Sequence, residues 1–139
     1  MRLHREAKVE LIAQVPLFER CSKRELAAIA NIADEIERPE GRVVVREGEL
    51  GQEFWVLVEG SAEVTRDGTR IATLGPGDFF GEIALVSNVP RTASVKTTSP
   101  VRALVVSSRD FWTLLDTSPR TQGKILETVG DRLAKHDES

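Results

Sequence analysis

Three residues stand out for the chemistry that their types and spacing allow. They are Gly81, Glu82 and Arg91, within the stretch Phe79-Phe80-Gly81-Glu82-Ile83-Ala84-Leu85-Val86-Ser87-Asn88-Val89-Pro90-Arg91-Thr92-Ala93-Ser94-Val95. A short helix opening at Gly81 would direct the backbone N–H groups of residues 82–84 at one point, and a glycine lets a ligand approach the backbone closely. The guanidinium of Arg91 is a planar fork able to hold two oxygens of one phosphate, which a lysine would not match. Glu82 opposes a bare phosphate, but an ionised carboxylate accepts hydrogen bonds from hydroxyls such as those of a ribose. An anion beside a sugar hydroxyl points to a nucleotide, and the lack of a Gly-rich loop ending in Lys-Ser/Thr argues against a triphosphate. The same two charges also fit a plain ion pair between Glu82 and Arg91, and spacing alone leaves both readings open.

The elements that must position these residues are legible on both sides. Leu3, Ala7 and Leu11 recur at helical spacing over residues 3–13, until Val15-Pro16 interrupts them. Ser22 with Glu25 forms a capping box ahead of Leu26, Ile29, Ala30 and Ala33, which predicts a second helix. From Glu35 the period changes. Val43-Val44-Val45 and Phe54-Trp55-Val56-Leu57-Val58 read as strands. Residues 62–66 and 70–74 flank Asp67-Gly68 and read as a hairpin. Residues 94–97 and 101–106 read as closing strands around Ser99-Pro100. Helical spacing then returns with Phe111, Leu114 and Leu115. After Ser118-Pro119 it continues in a stripe of Ile125, Leu126, Val129 and Leu133 that runs to about Lys135. Short strands with a turn every eight to twelve residues suggest a sandwich or barrel, here set between helices.

Composition bounds what such a chain does. Its 139 residues suffice for one domain with a proper core, and 40% apolar with 29% charged residues is a globular balance. A net charge of −3 argues against a general nucleic-acid binder. One cysteine, Cys21, and two histidines near opposite ends, His4 and His136, leave no disulfide and no metal-ligand spacing. No signal peptide and no run of roughly 18 apolar residues is present, so the expectation is a cytoplasmic chain without a membrane span. With Glu82 as the one carboxylate placed in the pocket and no nucleophile–base pair, no catalytic residue is assigned and an enzyme is not expected.

The stretches Phe79–Leu85 and Pro90–Val95 resemble the phosphate-binding cassette of the cyclic nucleotide-binding domain family. That family includes catabolite-activator-type regulators, protein kinase regulatory subunits and nucleotide-gated channels. Arg46-Glu47-Gly48-Glu49 with Gly51, the run Phe54–Gly60, and Gly75-Pro76-Gly77-Asp78 resemble the family's flanking turns and strands, so the likeness runs from about Pro16 to Lys135. It implies an α+β fold: an antiparallel β-roll or jelly roll (a double-stranded β-helix) with helices on both sides and a short helix in the cassette. As one domain over residues 1–139, this divides into N-terminal helices (1–34), the roll (35–107, cassette 79–95) and C-terminal lid helices (108–135).

The resemblance also implies roles. Glu82 would accept from the ribose 2′-OH and Arg91 would hold the exocyclic phosphate oxygens. The backbone N–H groups of Gly81, Ile83, Ala84 and Ala93 would add contacts. Val45, Val64 and Ile71 would pack sugar and base, with Arg132 and Leu133 as lid candidates on the last helix. Thr92 is ambiguous: a hydroxyl after the arginine can bond a guanine amino group, yet bacterial members with Ser or Thr there also bind cyclic AMP. Cyclic AMP is the expected ligand ahead of cyclic GMP, with no cofactor and no metal. The implied function is a sensor that changes conformation on binding and signals to an unidentified protein effector. The chain stops at Ser139 with no helix-turn-helix segment, so no direct DNA contact is expected, and a monomer is favoured over a weak dimer. Two alternatives stand beside this reading. One is a structural or protein-interaction module that has lost its ligand, and the other is the sensing part of a transcriptional regulator acting through another chain.

Overall fold

The computed structural model describes residues 3–138, with side-chain surroundings described through residue 131. The chain forms two compact units, one of residues up to Ile32 together with those from Asp110 onward, the other Ala33–Arg109.

The first unit is helical. It holds α1 (Arg5–Ala13), a 3-10 turn at Pro16–Phe18, α2 (Lys23–Ile32), most of α3 (Ser108–Asp116) and α4 (Pro119–Glu138). The capping box forms as its residue types predict: Ser22 N–H donates to Glu25 Oε1 at 2.8 Å, and Glu25 N–H donates to Ser22 Oγ at 3.2 Å. Leu17 and Phe18 bury almost completely, and the Phe18 ring lies 5.9 Å from that of Phe111. The expected stripe on α4 needs correction. Leu126 is 52% exposed, whereas Thr121, Ile125 and Thr128 are the buried ones among the described residues of α4. The two threonines tolerate burial because their hydroxyls are satisfied: Thr121 Oγ1 donates to Glu25 Oε2 at 2.7 Å, and Thr128 Oγ1 donates to the Lys124 carbonyl at 3.0 Å.

The second unit contains β1 (Asp34–Arg38), β2 (Val43–Val45), β3 (Glu53–Glu59), β4 (Ala62–Arg66), β5 (Thr69–Leu74), β6 (Phe79–Phe80), β7 (Ser94–Thr97) and β8 (Val101–Ser107). They form two antiparallel four-stranded sheets, ordered β1-β8-β3-β6 and β2-β7-β4-β5. The β4–β5 hairpin turns on Asp67 (φ 52°) and Gly68 (φ 80°), the pair of positive φ angles that a two-residue turn of this hand requires. Residues 94–97 and 101–106, read from sequence as closing strands, fall on β7 and β8, which belong to different sheets. β1 escapes the sequence pattern because four of its five residues are charged, and β6 because it is two residues long. Inner faces of both sheets meet in one core: Trp55, Leu57, Ala103 and Val105 from one, Val45, Ala62 and Val95 from the other. This antiparallel roll, with helical segments before and after it in sequence, is the architecture expected.

Candidate functional site

The roll contains a cavity of about 430 Å³ bordered by β2, β4, β5, β7 and the whole segment from Phe79 to Ala93 except Leu85–Asn88. Two turns position the segment from Phe79 onward. Residues 75–78 close on themselves, with Gly75 N–H donating to Asp78 Oδ2 at 2.8 Å, and are tied to β3 by Leu57 N–H donating to the Asp78 carbonyl at 2.8 Å. That anchor lays Phe79-Phe80 beside β3, where Phe80 stacks on the Trp55 indole at 5.7 Å. Gly81 follows in the left-handed region (φ 82°), which an L side chain rarely adopts, and turns the chain into Glu82–Leu85.

That segment is a four-residue 3-10 helix, the short helix expected there. Its macrodipole is correspondingly small, and the N–H of Ala84 is committed to the Gly81 carbonyl at 3.0 Å. Ala84 still borders the cavity, but its N–H is withdrawn from the expected set of donors.

The Arg91 backbone is held by an antiparallel contact with residues 48–50. Arg91 N–H donates to the Glu49 carbonyl and Gly48 N–H to the Arg91 carbonyl, each at 2.8 Å, next to a bridge between Leu50 and Pro90. The side chain is seated by two glycines. A Cβ at Gly51 would overlap the guanidinium, and a Cβ at Gly81 would meet both the guanidinium and, at 2.7 Å, the Glu53 carbonyl oxygen. Arg91 Nη2 donates to that same carbonyl at 2.5 Å. Its Nε is buried and has no acceptor. Burial lowers the pKa of the guanidinium from its ordinary value, and the charge of Glu53 acts in the opposite sense. A half-buried cation with an unsatisfied N–H at a cavity wall is a seat for an anion, because leaving a charged donor unpaired is costly.

The sequence-derived residues converge on this cavity. Gly81, Glu82, Ile83, Ala84, Arg91, Thr92 and Ala93 all line it, as do Val45, Val64 and Ile71. Ile71 is skipped in the β4–β5 register and is 49% exposed. The side chains of Arg132 and Leu133 lie outside the described residues. Sequence reasoning missed the seats at Gly51 and Glu53, and Arg66 on the cavity wall. A period-2 pattern of Ala62, Val64 and Arg66 was the available signal for the last. For Gly51 the signal was its place beside Arg46-Glu47-Gly48-Glu49 in the family-like turn, since no left-handed φ demands a glycine there. Among the described residues no helix is long and apolar enough to cross a membrane, and no group of three His, Cys, Asp or Glu could hold a metal.

Comparison with known proteins agrees with this geometry. The chain is 39% identical over 115 residues to a cAMP-dependent protein kinase regulatory subunit of Mycosarcoma maydis, covering 76% of this chain and 22% of that protein. Among solved structures, the N-terminal domain of a transcriptional regulator from Streptomyces coelicolor A3(2) superposes with a TM-score of 0.83 at 26% identity. It covers 93% of this chain and 96% of that one. A cAMP-bound kinase regulatory protein, PfPKA-R, superposes with a TM-score of 0.68 at 25% identity, covering 91% of this chain and 46% of that one. The family model of the cyclic nucleotide-binding domain matches residues 35–118, which span the roll and its cavity. The chain therefore belongs to the cyclic nucleotide-binding domain family, a regulatory rather than a catalytic one.

Proposed function

We propose that this chain is a cyclic nucleotide sensor that binds cyclic AMP in preference to cyclic GMP, changes conformation on binding, and signals to a protein effector. The observation that carries the reading is that Arg91, a half-buried cation whose Nε has no acceptor, lines a cavity that Glu82 shares. A cyclic phosphate supplies the acceptor, with its exocyclic oxygens on the guanidinium fork, while Glu82 accepts from the ribose 2′-OH. The backbone N–H groups of Gly81, Ile83 and Ala93 complete the phosphate and sugar contacts, and Val45, Val64 and Ile71 pack against sugar and base. The preference for cyclic AMP is supported by the cAMP-dependent relative and the cAMP-bound structure. Binding is the activity in this reading, with no reaction catalysed and no cofactor or metal.

The nature of the effector follows from neither relative, since this chain spans 22% of the kinase regulatory subunit. The likeness to the N-terminal domain of a transcriptional regulator favours a second form of the reading, in which the sensor acts on DNA through another chain. Isothermal titration with cyclic AMP and cyclic GMP, each at two temperatures, tests the sensor reading. Saturable binding of one nucleotide at a single site per chain is the expected result. No heat with either nucleotide at millimolar concentration overturns it in favour of an interaction module without a ligand.

A further inference from the structure

Four polar side chains line the cavity: Glu82, Arg91, Arg66 and Thr92. If ribose and phosphate occupy the first two, polar chemistry toward the base falls to the other pair. Arg66 ends β4, one residue before the hairpin turn, and its Nε donates to the Thr92 carbonyl oxygen at 3.1 Å. That bond holds the guanidinium against the residue that directly follows the phosphate-binding arginine. The neighbouring Glu47 turns its Oε1 to the Asp67 N–H at 3.1 Å, and among the described residues no carboxylate pairs with Arg66. Its two terminal amino groups therefore remain donors for the cavity, on a wall otherwise formed by Val64, Ile71 and Leu74.

We propose that Arg66 is a specificity-determining residue that reads the ring N7 and position 6 of a purine base. A guanidinium donates to N7 and a 6-keto oxygen together, whereas the 6-amino group of adenine is itself a donor and opposes it. Arg66 therefore favours 6-keto purines and narrows the preference for cyclic AMP set by the rest of the cavity. This inference rests on the cyclic nucleotide reading of the cavity.

The test titrates the full chain and its Arg66→Ala and Arg66→Lys variants with cyclic AMP, cyclic IMP and cyclic GMP. Cyclic IMP carries the 6-keto group without the 2-amino group that Thr92 could reach, so it isolates Arg66. Because Arg66 is exposed, both variants should fold, and thermal melting verifies it. The expected result is that Arg66→Ala weakens cyclic IMP and cyclic GMP by about fivefold or more relative to cyclic AMP. Lysine should restore only part, since it keeps the charge without the fork. Equal weakening of all three nucleotides, or of none, overturns the proposal while leaving the sensor reading intact. Failure of the unaltered chain to bind any of the three overturns both.

Discussion

The guanidinium of Arg91 occupies the space where a Cβ on Gly51 would lie, so a residue with no ligand-facing chemistry decides where the phosphate-seeking cation sits. Gly51→Ala should displace Arg91 and weaken cyclic nucleotide binding by about tenfold or more, as overpacking of this kind typically costs about 1–3 kcal/mol. Gly75→Ala is the control, because nothing lies within 4 Å of its added Cβ and its φ is not left-handed. Equilibrium titration of both variants should separate them. Equal affinities would place the Arg91 side chain elsewhere.

Arg91→Ala should weaken binding by a hundredfold or more, since truncating a desolvated charge-assisted contact costs about 2–5 kcal/mol. The ligand-free protein should lose little stability, because the change removes a half-buried cation with an unpaired N–H. Arg91→Lys should fall between, keeping charge but losing the fork. Denaturant unfolding alongside calorimetry checks both halves.

Thr92→Ala should reduce affinity for cyclic GMP more than for cyclic AMP, because only guanine offers a 2-amino donor to the lost hydroxyl. The effect of one such neutral hydrogen bond is about 0.5–1.5 kcal/mol. Competition binding with the two nucleotides reads the ratio directly.

Stability should fall with acid through Glu25. Burial alone would raise this carboxyl, but hydrogen bonds from Lys124, Ser22 and Thr121 outweigh it and hold the group at about 2, against an ordinary 4.5. A carboxylate lowered by folding stabilises the native state above its unfolded value, and that contribution disappears as pH drops from about 4.5 towards about 2. Lys124 Nζ lies 2.5 Å from Glu25 Oε1, so Glu25→Gln should destabilise the protein at neutral pH and flatten this acid slope. Unfolding measured across that window would show the same slope in both proteins if Glu25 were not responsible.

Cys21 should react slowly. Burial raises its pKa to about 11, reinforced by Glu25 and opposed by Lys124, so little thiolate exists at neutral pH. Alkylation of the native protein should be well below the rate of the unfolded chain and should keep rising above pH 9.

What residue types and spacing determine here is local. The Ser22–Glu25 box, the Asp67-Gly68 turn, the Gly75–Asp78 turn and the left-handed Gly81 depend on backbone sterics and short-range hydrogen bonds. Those constraints act over a few residues and are readable in order. Partners distant in sequence are another matter. Gly51 and Glu53 are some forty residues from the Arg91 they seat, Arg66 meets Thr92 across the roll, and Glu25 makes buried Thr121 acceptable on α4. Each is a packing or hydrogen-bond relation that exists only once the two sheets, or the helices of the other unit, have closed. Only tertiary structure could turn a glutamate and an arginine that might have paired with each other into two walls of one cavity. It did so by giving Arg91 Nη2 a backbone carbonyl on β3 and leaving its Nε buried without an acceptor.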